Sequence, residues 1–326
     1  MAHYLVTGAA GFIGARVAEL LLEQGHAVTG VDNLNDAYDV RIKEYRLRRL
    51  QALPRFTFLR ADIADRALLE PQSPISGFRF DAVVNLAARA GVRASVENPW
   101  VFYQTNVLGT LNLLEFCRQR GVPKFLLAST SSVYGANAPS PTPEEADSSH
   151  PLQPYAASKK AAEVLCHSYH RLYGLDVSVV RYFTVYGPAG RPDMSMYRFT
   201  KWIREGQPVQ LYGDGEQSRG FTYVDDIARG TLAALRPLGY EIINLGGHEV
   251  ITMNALIAML EERIGRKAVV EIHPPNPADM LMNWADVGKA RRLLDWQPQV
   301  GLSEGVGRFV DWYERERAWA KEVVKP

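Results

Sequence analysis

The strongest constraint on this chain lies at its start. Residues 3–7 form a short apolar run that reads as a strand, Gly8-Ala9-Ala10-Gly11-Phe12-Ile13-Gly14 follows, and residues 15–24 have the spacing of an amphipathic helix. Glycines permit a tight turn and let backbone N–H groups come close to a pyrophosphate, which also meets the positive end of the helix dipole. A second strand, residues 27–31, runs into Asp32-Asn33. A carboxylate there accepts from both ribose hydroxyls of an adenosine and repels a 2′-phosphate, so the expected cofactor is NAD rather than NADP.

The alternation of strand and helix continues. Residues 56–60 read as a strand ending at Asp62-Ile63, an expected contact for the adenine edge, and residues 82–87 as a buried strand ending in Ala88-Arg89-Ala90-Gly91-Val92-Arg93. Small residues there let the backbone pass close to a cofactor. Residues 98–118 read as one long helix carrying Asn106, and residues 125–128 as a strand leading into Ser129-Thr130-Ser131-Ser132. Such alternation implies the α/β class: a doubly wound parallel Rossmann-type sheet with ligands at the carboxyl ends of its strands, and a smaller C-terminal α/β substrate-binding region. Residues 1–183 are expected to hold the cofactor, with returning segments near 221–247, and residues 184–326 to hold most of the substrate.

At Pro154-Tyr155-Ala156-Ala157-Ser158-Lys159 a helix starts, which sets Tyr155 and Lys159 one turn apart on one face. A free tyrosine has a pKa near ~10, so service as a base near neutrality needs a shift of roughly three units, about 4 kcal/mol, and a fixed positive charge supplies part of it. The rest of the composition excludes other chemistry. A net charge of +1 gives no reason for a nucleic-acid partner, and no apolar stretch suits a membrane span. No signal-type start is present, so a cytoplasmic protein is expected. Two cysteines, Cys117 and Cys166, support neither a disulfide framework nor a thiolate metal site, and His167 and His170 lack the carboxylate pattern of a metal motif.

With its glycine turn, its Ser/Thr loop and its Tyr-x-x-x-Lys in this order, the chain resembles the extended short-chain dehydrogenase/reductase family over nearly its whole length. The resemblance implies that Tyr155 is the acid/base, that Lys159 holds the nicotinamide ribose and lowers the tyrosine pKa, and that Thr130 hydrogen-bonds the reacting hydroxyl, with Ser132 beside it in the catalytic set. The cofactor set it implies is Gly8, Gly11, Phe12, Ile13, Gly14, Asp32, Asn33, Asn35, Lys43, Asp62, Ile63, Leu86, Ala87, Ala88, Asn106, Tyr155, Lys159 and Tyr182. Relatives that dehydrate or decarboxylate nucleotide sugars carry carboxyl groups after the threonine. Ser131 and Ser132 stand there instead, which leaves reversible hydride transfer alone.

Residues 181–194, with Tyr38-Asp39-Val40 and Ala90-Gly91-Val92-Arg93, are similar to the UDP-glucuronate 4-epimerases in particular. This implies a UDP-sugar substrate contacted by Thr130, Thr184, Arg191, Tyr212, Arg219 and Asp279: a C6 carboxylate calls for a cation or dense hydrogen bonding, for which Thr184 and Arg191 are the candidates, while the resemblance puts Arg219 at the UDP phosphates, Tyr212 beside the uracil and Asp279 near the nucleotide. Ala189 stands where the relatives commonly have Trp and Gly220 where they have Asp, departures that bear on the shape of the sugar pocket. A neutral-sugar epimerase, a decarboxylase and a non-catalytic NAD-binding regulator are the alternatives. The family also pairs the helices at 98–118 and 155–173 in a homodimer, although their apolar faces could equally be core. The basic run 287–294 reads as a helix, and the tail, 303–323, as a solvated helix closing the fold.

Overall fold

The computed structural model describes residues 1–247, 249–275 and 282–324. The strands are β1 (His3–Thr7), β2 (Ala27–Asp32), β3 (Phe56–Arg60), β4 (Ala82–Asn85), β5 (Lys124–Thr130), β6 (Asp176–Tyr182), β7 (Thr184–Tyr186), β8 (Val209–Tyr212), β9 (Ser218–Tyr223), β10 (Tyr240–Leu245), β11 (Glu249–Thr252), β12 (Val270–His273) and β13 (Met282–Asn283). Seven of them form one parallel sheet in the order β10-β6-β5-β4-β1-β2-β3. β4 and β5 are buried at every position, as strands covered on both faces must be, and residues 82–84 and 125–128 within them are continuous apolar runs for that reason. Strand order reverses between β1 and β4, which opens a crevice at their carboxyl ends. The turn after β1 and the loop after β4 form its two lips.

The helices are α1 (Phe12–Glu23), α2 (Val40–Gln51), α3 (Val92–Glu97), α4 (Trp100–Tyr103), α5 (Gly109–Arg120), α6 (Pro154–Tyr173), α7 (Ser195–Glu205), α8 (Val224–Ala233), α9 (Met253–Ile264), α10 (Gly288–Leu294) and α11 (Leu302–Ala320). On one face of the large sheet α1, α8 and α10 share a core with β1, β5 and β6; on the other, α5 and α6 do the same. A smaller sheet, β11-β9-β13 with β7 beside β9, and the pair β8 and β12 belong to the later residues. Phe12 and Ile42 from the first part of the chain lie in the same apolar cluster as Tyr197, Phe309 and Trp312, so the two parts share a core.

Two expectations are corrected. The helix expected over 98–118 is interrupted: a π turn, Gln104–Leu108, separates α4 from α5. The extra residue aims the buried Asn106 side chain inward, where its Oδ1 accepts from the Arg89 N–H at 2.9 Å and its Nδ2 donates to the Arg89 carbonyl at 3.0 Å and to Ser158 Oγ at 2.9 Å. The tail helix α11 is not a solvated rod. Val306, Phe309, Val310, Trp312 and Tyr313 fall on one side at spacings of three and four and are all buried, while the charges of Arg308, Asp311 and Glu314 face outward.

Candidate active site

The glycine turn is built by close approach. Gly8 has φ +68°, and a Cβ there would lie 2.7 Å from the Ala87 nitrogen and the Leu86 carbonyl carbon; a Cβ on Gly14 would lie 2.1 Å from the Gly8 carbonyl oxygen. Gly11 closes the turn through its N–H to the Gly8 carbonyl at 2.8 Å and stands before the first residue of α1, so Phe12, Ile13 and Gly14 supply the helix's first N–H groups. The Asp32 carboxylate accepts from the Ala10 N–H at 3.1 Å and the Leu34 N–H at 2.8 Å, which binds the end of β2 to the turn. Asn33 donates to Asp62 at 2.8 Å, and Lys43 donates to the Asn35 carbonyl at 2.7 Å. Burial pulls the Lys43 ammonium down to about 8, with the charge of Asp32 acting the other way. The Ile63 side chain packs beneath Gly109, and its carbonyl accepts from Asn112 at 2.9 Å. Leu86 and Ala87 hang from Thr7 through their N–H groups, and Ala88 continues to the backbone held by Asn106.

At the end of β5, Thr130 Oγ1 donates to Ser132 Oγ and accepts the Ser132 N–H, both at 3.2 Å. The Tyr155 hydroxyl is within reach of the Thr130 side chain, and its ring meets Phe102 edge-on at 6.1 Å. The two serines of this loop part company: Ser131 is buried and accepts from Asn283 Nδ2 at 3.0 Å, whereas Ser132 stays beside Thr130. Lys159 is buried, and its ammonium donates to the Ala128 carbonyl at 2.7 Å. Burial pushes the Tyr155 phenol above 10.0, opposed by the Thr130 hydrogen bond and the charge of Arg191, not by Lys159. Burial lowers the Lys159 ammonium to about 8, with Glu163 opposing.

Tyr182 is the clearest departure on the cofactor side. Its side chain lies in the core under α8 with its hydroxyl 2.8 Å from Thr231 Oγ1, so only its backbone is left to face a ligand. Arg191 is held by a two-pronged pair with Asp193 at 3.0 and 2.6 Å and donates to the Ala90 carbonyl at 3.1 Å. Burial works against its charge, yet Asp193 more than offsets this and Arg191 stays above the ordinary arginine value. Thr184 opens β7 opposite Phe221 on β9, and Arg219 lies further along β9 opposite Asn283. The Tyr212 ring has the Arg93 guanidinium over it at 4.6 Å and stacks with the His273 ring at 5.2 Å. Asp279 lies outside the described residues.

The NAD dependent epimerase/dehydratase family matches residues 4–246. The chain belongs to that family. A UDP-glucuronate 4-epimerase from Thermodesulfobacterium geofontis is 56% identical to it over 324 residues, 99% of each chain. Among solved structures, a UDP-glucuronic acid 4-epimerase from Bacillus cereus, in complex with UDP-glucuronic acid and NAD, is 37% identical and superposes with a TM-score of 0.89, over 96% of this chain and 99% of that one. A UDP-glucose 4-epimerase from Thermotoga maritima, with UDP-glucose, is 34% identical with a TM-score of 0.89, over 97% and 99%.

The residues of this family member fit NAD on their own geometry. The surfaces on which Cβ atoms at Gly8 and Gly14 would collide are what a backbone needs to come within reach of a pyrophosphate, and Asp32 sits at the end of β2 where a ribose diol falls. Residues missed from the sequence include Asn283, which ties Ser131, and Glu163, which accepts from Ser129 Oγ at 2.6 Å and pairs with buried Arg181 at 2.7 Å. Arg46 was also missed. Its signal was present: Ile42, Lys43, Arg46, Leu47 and Leu50 share a buried stripe of α2, and two cations within an apolar stripe need a reason.

Proposed function

We propose that the chain is a cytoplasmic, homodimeric UDP-glucuronate 4-epimerase, interconverting UDP-glucuronate and UDP-galacturonate through a 4-keto sugar with no net redox change. The observation that carries this reading is the neighbourhood of Tyr155: a phenol beside Thr130, which Ser132 holds at 3.2 Å, with the Arg191 charge acting on it, so that an acid/base and a cation share one cleft. The 56% identity to a UDP-glucuronate 4-epimerase over 99% of each chain supports the same substrate.

NAD, when bound, accepts a hydride from C4 of the sugar and returns it to the opposite face. The glycine turn at residues 8–14 with Asp32 and Asn33, Asn35 and Lys43, Asp62 and Ile63, the 86–88 backbone and Asn106 hold it. Tyr155 takes the O4 proton as the hydride departs and gives it back at the end, while Thr130 orients the hydroxyl and Ser132 orients Thr130. Lys159 contributes its ammonium to the ribose and holds the end of β5 through the Ala128 carbonyl. Arg219 and Tyr212 grip the nucleotide, and remote binding of UDP leaves the sugar free to turn over between the two hydride transfers. Thr184 and Arg191 face the C6 carboxylate. With serines at 131 and 132 no carboxyl group serves C5, so the keto sugar is reduced again rather than dehydrated or decarboxylated.

Support for self-association comes from Val96 on α3, Trp100 on α4, Leu108 in the π turn, and Val164, Leu172 and Tyr173 on α6, all exposed. A run of exposed apolar side chains of this size suits a protein partner. Free, buried Cys117 and Cys166 fit a reducing compartment. Incubating the purified protein with UDP-glucuronate and identifying the product sugar tests the activity. Tyr155→Phe is expected to lower turnover by about a thousandfold or more while NAD is retained; a variant at wild-type speed overturns the mechanism.

A further inference from the structure

Arg46 is 4% exposed, and among the described residues its guanidinium meets no carboxylate. Its donors go instead to two backbone carbonyls and one hydroxyl. Nε and Nη2 converge on the Ala189 carbonyl at 2.9 and 2.6 Å, while Nη1 donates to the Ala10 carbonyl at 3.1 Å and the Tyr38 hydroxyl at 2.8 Å. The guanidinium carbon also lies 5.7 Å from the centre of the Phe12 ring and 5.6 Å from that of Tyr38. One planar cation therefore joins the glycine turn to residues 187–191, which lie far away in the chain.

The Ala189 backbone needs that support. Its φ is +54°, a left-handed conformation that is unfavourable for a residue with a Cβ. Two hydrogen bonds from a charged donor fix the direction of its carbonyl, and the chain then reaches Arg191 two residues on. A lysine supplies the charge but not the fork that serves three acceptors at once.

We propose that Arg46 is a positioning residue for sugar recognition: it locks the Ala189 carbonyl to the glycine turn and so sets where Arg191 stands against the C6 carboxylate. This rests on the proposed function. Its test is the affinity of the NAD-loaded protein for UDP-glucuronate and for UDP, by calorimetry, in Arg46→Lys, Arg191→Ala and the double variant. Arg46→Lys is expected to weaken UDP-glucuronate binding about tenfold, to leave UDP within about twofold and to add nothing in the Arg191→Ala background, since residues acting through one another are non-additive. Equal weakening of both ligands, loss of bound NAD, or additive effects would falsify the proposal. Should Arg46→Lys fail to fold, Tyr38→Phe removes a single bond from the same guanidinium; it is expected to give a loss of about two- to threefold confined to UDP-glucuronate, and no loss overturns the proposal. A wild-type protein that binds UDP but neither binds nor converts UDP-glucuronate refutes the proposed function itself, whereas failure of the Arg46 variants alone leaves that function standing.

Discussion

The glycine turn at residues 8–14 and the loop at residues 187–193 both bend the backbone into the same cleft, but they differ in how much of their support comes from distant side chains. The first is shaped from within: Gly14 can sit where it does only because it has no Cβ to meet the Gly8 carbonyl 2.1 Å away. The second has a glycine contact of its own, the Gly190 N–H on the Gly187 carbonyl at 3.0 Å, but it is also tied from outside, by Arg46 on the Ala189 carbonyl and by the Ala90 carbonyl on Arg191, contacts that span 143 and 101 residues of chain. A turn made by the residues it contains fails when one of them changes. A loop made by distant side chains is adjusted piecemeal, and substrate preference can vary there without disturbing the cofactor.

The largest expected effect breaks the first region. Gly14→Ala forces the backbone apart at the Gly8 carbonyl, and we expect the purified protein to carry no NAD and to show no turnover; NAD content by absorbance checks it. Arg191→Ala is next and tests the independence of the second region. It is expected to retain full NAD content while kcat/KM for UDP-glucuronate falls about a hundredfold, the loss of a charge-assisted pair at a largely desolvated site. A fall in NAD content in this variant would erase the distinction between the two regions.

A smaller effect concerns Lys159. Its folded value, about 8, lies below the ordinary 10.5, so between these limits the unfolded chain holds a proton that the folded one has shed. The group's contribution to stability is therefore fully present above pH 10.5 and is lost as pH falls through about 8. The denaturation midpoint of wild type relative to Lys159→Met should rise with pH across that window, and a flat difference would show that the buried ammonium is not destabilised. The smallest effect is that of Tyr182→Phe, which removes the bond to Thr231. It should cost about 1 kcal/mol in denaturant unfolding and leave NAD affinity unchanged, because the hydroxyl points into the core.

The comparison also explains what could be read from the chain. Gly8, Gly11, Gly14 and Asp32 were legible because the chemistry of the turn is local: a strand, three residues without side chains, a helix and an acid at the next strand end. Tyr155 and Lys159 were legible as one helix face, but the partner of Lys159 was not, since the Ala128 carbonyl belongs to a strand that only the folded sheet brings near. Ser131 and Ser132 look equivalent in sequence and are separated in the fold by one contact from Asn283. The α11 apolar face was hidden by the density of charges between its buried residues. Arg46 escaped notice because nothing near it in sequence names its acceptors.

The π turn at Gln104–Leu108 makes this helical run sensitive to length in a way that its composition does not reveal. Each residue of an α-helix advances the side chains by about 100°. Five residues wound as a π turn sweep about the same angle as four in an α-helix, so removing one would leave an unbroken helix with the faces bearing Trp100 and Leu113 in nearly the same relation, but without the bulge that aims Asn106. Asn106 would no longer reach both Arg89 and Ser158. Point substitutions along the run are small perturbations by comparison, and the count of residues between Tyr103 and Gly109 is itself a determinant of the site.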